Sequence, residues 1–260
     1  MAFSSYSSLN YVIVSKKETN SVINPSYWLK FNSGDISGTT ILNYGSSQKN
    51  GYIATDNSGT LPTLGTSTIN GIVNCGVINL NETYKNYVNM TTTLGTSSTY
   101  FTIGAGTTGL SISCWFNYAN FSVNYMRIFD FTTAINSIAN SCLLASNYNT
   151  TSQLFVENYN ATKSQYNSIA MTTNTWYHLV WTITSGGVWS VYLNNVLQSM
   201  TPASVSSYPS ITQYQYACIG RPSNNTSNPT QYFTGMIADF RTYNYALSTS
   251  DIAYLYNNPV

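Results

Sequence analysis

A chain of 260 residues with 43% hydrophobic side chains can bury a substantial core, and as an all-β sandwich it fits a single domain. Only 7% of its residues are charged, far below the roughly 25% of ordinary soluble domains, and the formal net charge is +1. With Lys and Arg scattered rather than striped, nucleic acid and an electrostatic hold on a membrane are excluded as partners, and recurrent β-formers exclude disorder.

In chain order, residues 1–24 read as an extension or arm. A Ser/Tyr-rich start leads into a short β-like piece, Tyr11 to Val14, and then Lys16-Lys17-Glu18. It is expected to serve as an extra edge strand or to lie on a partner. No basic segment followed by a long apolar core opens the chain, and no run approaches the eighteen or so apolar residues of a membrane span. Synthesis in the cytosol follows as the expectation. From Tyr27 onward strand signals alternate with Gly, Asn, Ser and Thr: YWLKF (27–31), IVNCGVINL (72–80), YVNMT (87–91), LSISCWFNY (110–118), YMRIFDF (125–131), QLFVEN (153–158), YQYACIG (214–220) and FTGMIADFRTYN (233–244). In LSISCWFNY, Leu110, Ile112, Cys114 and Phe116 share one face and Ser111, Ser113, Trp115 and Asn117 the other, the alternation of an antiparallel sheet.

The stretch WYHLVWTITSGGVWSVYLNN (176–195) has the same period. Tyr177, Leu179, Trp181 and Ile183 oppose Trp176, His178, Val180 and Thr182. Ser185-Gly186-Gly187 breaks the run, and Trp189, Val191 and Leu193 resume it, which predicts a hairpin whose aromatics belong to the core. Near the C-terminus, Ser248 to Asp251 forms a capping box with Asp in place of Glu. Ile252, Leu255 and Tyr256 then make an apolar stripe that Asn257-Asn258-Pro259 stops, so one short helix is expected. Cys75, Cys114, Cys142 and Cys218 are widely spaced, with no CxxC and no companion His, and read as buried free thiols.

The order YWLKFN, GYIATDNSG, GIVNCGVINLNETYKNYVNM, LSISCWFNY, WYHLVWTITSGGVWSVYLNN, CIGRP and FTGMIADFRTYNYALSTSDIAYLY resembles the laminin G-like family within the concanavalin A-like lectin and glucanase jelly rolls. Gly235, Ile237, Asp239, Arg241, Tyr243, Asn244, Ala246 and Leu247 carry the most specific part. The resemblance covers most of residues 25–257 and implies an all-β jelly-roll sandwich of two antiparallel sheets over 25–260, one of them concave. It also implies that Trp176 and His178 lie on a strand where the imidazole packs and hydrogen-bonds rather than reacts.

Chemistry finds little footing. Retaining glycosidases need two carboxylates about 5 Å apart, which glucanases of this fold place on one strand as ExDxE. Glu18, Glu82 and Glu157 form no such set. A Ser-His-acid triad would depend on His178, the sole imidazole, without a GxSxG elbow, and no phosphate-binding Gly loop is present. No enzyme is expected. Because laminin G-like relatives hold Ca²⁺ at the sandwich rim, Asp35, Asp56 and Asn57 are candidate ligands if calcium is bound; the same residues equally suit Asx turns. No other cofactor is implied. Asp239 and Arg241, at i and i+2, read as a structural ion pair. Tyr148, Tyr159, Tyr214 and Tyr216 are the candidate sugar-stacking residues, and seven Asn-x-Ser/Thr sequons occur as often as this composition would produce them.

Low charge and 23 tyrosines suit extensive protein contact. The leading expectation is therefore a structural, non-enzymatic component of an assembly, a virion minor capsid or surface protein, with other subunits as partners. A lectin-like module attaching to glycans is the alternative.

Overall fold

The computed structural model describes residues 23–47, 49–57, 59–94, 100–104, 108–134, 142–149, 151–158, 163–209, 213–222 and 230–260. The expectation for residues 1–24 falls outside them, apart from Ile23 and Asn24. The strands in chain order are β1 (Tyr27–Leu29), β2 (Ile36–Ser37), β3 (Thr40–Ile41), β4 (Gly51–Thr55), β5 (Thr63–Ile69), β6 (Ile72–Leu80) and β7 (Asn86–Asn89). Next come β8 (Phe101–Thr102), β9 (Gly109–Tyr118), β10 (Arg127–Thr132), β11 (Cys142–Asn147), β12 (Gln153–Asn158) and β13 (Lys163–Ala170). The last are β14 (Tyr177–Thr184), β15 (Trp189–Leu193), β16 (Val196–Leu197), β17 (Met200–Thr201), β18 (Gln213–Tyr214), β19 (Tyr216–Ile219) and β20 (Gly235–Tyr243), followed by helix α1 (Thr249–Asn257).

Sheet A has the order β16-β15-β14-β9-β20-β6-β5, with β1 beside β20; sheet B runs β17-β13-β12-β11-β10-β19-β7-β4-β3-β2. All strand pairs are antiparallel, and the two sheets close on one core in which Leu110, Ile112, Cys114, Phe116, Leu179, Trp181 and Ile183 from sheet A meet Val88, Phe129, Phe131, Leu143, Leu154 and Val156 from sheet B. This is the all-β jelly roll that the sequence resembles. The tryptophan-rich ribbon is the β14–β15 hairpin, with Leu179 opposite Leu193 and Ile183 opposite Trp189. Gly235 shows how closely sheet A is drawn together: a Cβ there would stand 2.0 Å from the Asn117 carbonyl oxygen, at φ +144°.

Helix α1 starts as expected, with Ser248 and Asp251 capping each other's backbone N–H groups, and buries Ile252 and Leu255. It covers part of the outer face of sheet A, where Leu247, Ile252 and Leu255 pack on Val180 and Tyr243. Tyr256 stacks on Trp115 (ring centroids 5.5 Å apart), beside Ile69 and Cys75 of the β5–β6 hairpin. Cys75, Cys114 and Cys218 are free and buried. Among the described residues no helix is long and apolar enough to cross a membrane.

Candidate functional site

With α1 laid over the outer face of sheet A, the outer face of sheet B is where exposed aromatics and charge come together. Cross-strand register builds it in transverse rows. Cys218, Asp130, Leu144, Glu157 and Ser164 face one another on β19, β10, β11, β12 and β13, and Arg127, Ser146, Phe155 and Tyr166 form the adjacent row. The inward-pointing residues between them, Phe129, Phe131, Leu143, Ala145, Leu154 and Val156, are core, so alternation fixes which side chains turn outward.

Tyr125, Tyr148, Phe155 and Tyr166 assemble an aromatic cluster over Leu144. The Tyr148 and Tyr166 rings are stacked, with centroids 4.1 Å apart and planes within 7°. Phe155 backs Tyr148 at 5.6 Å, and Tyr125 meets Phe155 edge-on at 5.3 Å. Phe155 is buried, whereas the three tyrosines are partly open to solvent. Tyr125 adopts φ 54°, a left-handed conformation unusual for an aromatic residue, and its carbonyl accepts a 2.6 Å hydrogen bond from Arg127 Nη1. The other side of that guanidinium is committed too, since Arg127 Nε donates to Asp130 Oδ2 at 3.0 Å in a buried ion pair.

Glu157 lies between these features. Burial pushes its carboxyl up to about 7; the Asp130 carboxylate adds to the rise, and the Arg127 guanidinium works against it. The group therefore changes charge near neutrality, beside an aromatic surface. Rings of this kind offer flat apolar area to the C–H face of a pyranose, and a neighbouring carboxyl accepts or donates hydrogen bonds to ring hydroxyls.

The segment 86–253 matches the pattern of the concanavalin A-like lectin/glucanases superfamily, in its laminin G form. The chain belongs to this superfamily. No curated protein sequence matches it. Among solved structures of the same fold, the botulinum neurotoxin serotype G binding domain has 13% identity and a TM-score of 0.55 over 90% of this chain and 50% of that one. A botulinum neurotoxin type C structure, described by the dependence of cell entry upon interaction with two ganglioside molecules, has 15% identity and a TM-score of 0.52 over 90% and 51%. Trypanosoma rangeli sialidase in complex with the inhibitor DANA has 10% identity and a TM-score of 0.55 over 89% and 32%. The chain thus spans about half of the toxin structures and a third of the sialidase, and at these identities the likeness is one of fold.

Among the residues singled out in the sequence, Tyr148 belongs to the aromatic cluster of this superfamily member, and Tyr216, opposite Thr132, is partly exposed on the same sheet face. Tyr159 lies outside the described residues. Tyr214 is a correction. It is fully buried against Phe131, because a bend at Gln215 separates β18 from β19 and turns the two tyrosines to opposite sides. Such a ring presents no face to a sugar.

The rim acids are drawn into internal bonds rather than gathered. Asp35 accepts from the Asn32 N–H (3.0 Å) and the Tyr44 hydroxyl (2.7 Å). Asp56 accepts from Arg221 Nε at 2.7 Å and from the Tyr232 hydroxyl, while Asn57 donates to the Thr83 carbonyl. No three His, Cys, Asp or Glu side chains cluster as metal ligands among the described residues.

His178 stacks on Trp115 at 4.9 Å and shares a 2.9 Å hydrogen bond with Ser113 through Nε2. That contact has the geometry of a nucleophile and its base, but both residues are 1% exposed and, among the described residues, Nδ1 has no partner to orient it. Burial, followed by the Arg241 charge, holds the imidazole down to about 3, so it is neutral at ordinary pH. It is a packing histidine, as the family resemblance implied.

Tyr125, Phe155, Tyr166, Arg127 and Asp130 escape the sequence reading, and Glu157 enters it only as an acid without a catalytic partner. A search for paired acids along one strand passes over Asp130 and Glu157, which lie on β10 and β12 with β11 between them, about 10 Å apart at the backbone.

Proposed function

We propose that the protein is a non-enzymatic carbohydrate-binding module that receives a glycan on the outer face of sheet B. The observation that carries this reading is the partly exposed, parallel Tyr148–Tyr166 stack on the same sheet face as the Glu157 carboxyl. The three partly exposed tyrosines form one contiguous surface, with Tyr148 in contact with both Tyr125 and Tyr166. The buried Arg127–Asp130 pair holds its floor. Support also comes from a superfamily named for its lectins and from similarly folded toxin domains, one of them described with gangliosides. Catalysis is not part of the reading, because Asp130 is bound to Arg127 and His178 is sealed in sheet A.

The sequence alone ranks protein contact within a virion above glycan attachment, and the aromatic face reverses that order. Contact with other subunits stays as a second reading. It is favoured by the exposed apolar side chains Val73, Val196 and Leu197 at the margins of sheet A. The virion itself rests on composition.

A glycan array followed by titration tests the proposal. At least one oligosaccharide should bind, and Tyr148→Ala and Tyr166→Ala should each weaken it about tenfold or more, the cost of truncating a central aromatic contact. Tyr254→Ala, at an exposed position on α1, should leave affinity unchanged. An array on which every sugar is silent removes the reading.

A further inference from the structure

The four margins of the two large sheets are not built alike. Sheet A ends on one side in β16 and sheet B ends in β17 and β2, each of two residues. Beyond β17 the chain goes on bonding to β13, where Gln165 Nε2 donates to the Pro202 carbonyl. Very short terminal strands and side-chain cover are the usual means of keeping a sheet edge from pairing with another chain. The fourth margin, β5, runs seven residues, TLGTSTI, and Thr63, Thr66 and Thr68 are exposed along it. It carries no charge either: between Asp56 and Glu82 there is no Asp, Glu, Lys or Arg. Among the described residues no strand pairs with the outer side of β5; the Thr63 carbonyl accepts from Asn79 Nδ2 and a bulge follows Ser67, so the regular stretch 63–67 is the part of this uncharged edge whose backbone donors and acceptors favour strand addition.

We propose that β5 is a homodimer interface, at which two copies of the chain pair their β5 strands antiparallel about a two-fold axis and join their A sheets into one. The edge is self-complementary. Residues 63, 65 and 67 share one face and 64 and 66 the other, as their partners on β6 show. With the two-fold at Gly65, Thr63 of each copy stands opposite Ser67 of the other and Leu64 opposite Thr66, so every facing pair lies on a common face. The same register brings Leu61, 37% exposed, alongside the other copy's hairpin turn, where Ile72 and Val73 are 43% and 65% exposed. Apolar surface thus meets apolar surface at both ends, as an isologous contact requires. A net charge of +1 opposes the approach of two identical chains only weakly. A second copy is favoured over a foreign peptide because the edge offers no charge to select one and already matches itself. The inference is independent of the carbohydrate reading, which concerns the opposite sheet.

Native mass spectrometry and sedimentation at high micromolar concentration test it. The wild-type chain should run as two units of 28.7 kDa. Thr66→Lys, which sets two like charges across the two-fold, should give a monomer that still unfolds in one cooperative thermal transition, since Thr66 is exposed, with a midpoint lowered only by the lost association. Thr66→Val and, on the other margin of sheet A, Leu197→Lys should remain dimeric. A wild-type monomer, including one that takes up only a foreign strand, overturns the proposal, and so does a dimer that survives Thr66→Lys.

Discussion

Replacing Asp239 by Ala is expected to cost about 3–5 kcal/mol of unfolding free energy, the usual penalty for leaving one member of a buried ion pair without its partner. Asp239 and Arg241 are 3% and 5% exposed, and the guanidinium donates twice, Nε to Oδ1 at 2.6 Å and Nη2 to Oδ2 at 2.7 Å. Trp28 Nε1 donates to the same Oδ1 at 2.7 Å, and its ring covers the guanidinium at 4.3 Å. Two residues of one strand reach each other so directly because β20 bulges between Ala238 and Arg241, with Asp239 at φ 47°, a conformation Asp tolerates better than most residues. Urea midpoints of Asp239→Ala, Asp239→Asn and the double variant Asp239→Leu/Arg241→Met measure the effect. Asn keeps the turn and an acceptor for Trp28, so it should cost less than Ala, and the double variant should recover much of the loss by removing both charges. A cost below about 1 kcal/mol for Asp239→Ala would mean that water reaches the pair.

Stability should respond to pH through two groups of opposite sign. His178 titrates at about 3 in the fold, against about 6.5 when unfolded, so below pH 6.5 the unfolded chain takes up the proton that the folded chain refuses. Its contribution is complete above pH 6.5 and is lost toward pH 3, at up to about 1.4 kcal/mol per pH unit. Glu157 works the other way. Titrating at about 7 when folded and 4.5 when unfolded, it contributes stability below pH 4.5 that is lost as pH rises through 7. Between 4.5 and 6.5 the two slopes oppose, and below 4.5 the histidine is unopposed by Glu157. Glu157→Gln should therefore be more stable than wild type at pH 8 by a margin that shrinks toward pH 4. Denaturant midpoints across this range check both effects; a wild-type-minus-variant difference that does not change with pH would refute the assignment of Glu157.

What could be read from the sequence follows from where side chains point. β9, β14, β15 and β20 alternate large apolar with small or polar residues, and β6 falls at the expected residues, 72–80. β5 (TLGTSTI) and β13 (KSQYNSIA) stay hidden, because Thr, Ser and Asn dominate them as they dominate loops and their partners are supplied by tertiary pairing. The helix is legible from its cap, its short apolar stripe and the Asn257-Asn258-Pro259 stop. Of the aromatic face only Tyr148 and Tyr216 are anticipated, since the cluster is transverse: Phe155 and Tyr166 come from β12 and β13, Tyr125 and Tyr148 from the segments flanking β10 and β11, and no period along one strand brings them together. Tyr214 misleads for a local reason. Two residues before Tyr216, it would share its face on an unbroken strand, and the bend at Gln215 breaks that strand.

The central claim, that sugar is held on the outer face of sheet B, is tested most directly by mapping amide NMR shifts of the labelled protein during titration with the tightest-binding oligosaccharide from the array. The account predicts that shifts concentrate at Tyr125, Tyr148, Gln153 to Glu157 and Tyr166, with a titration midpoint that moves with pH around 7 as Glu157 changes charge. Shifts confined to sheet A around Trp28 and Tyr44, or to the Asp56 loop, with the Tyr148–Tyr166 stack silent, would contradict it.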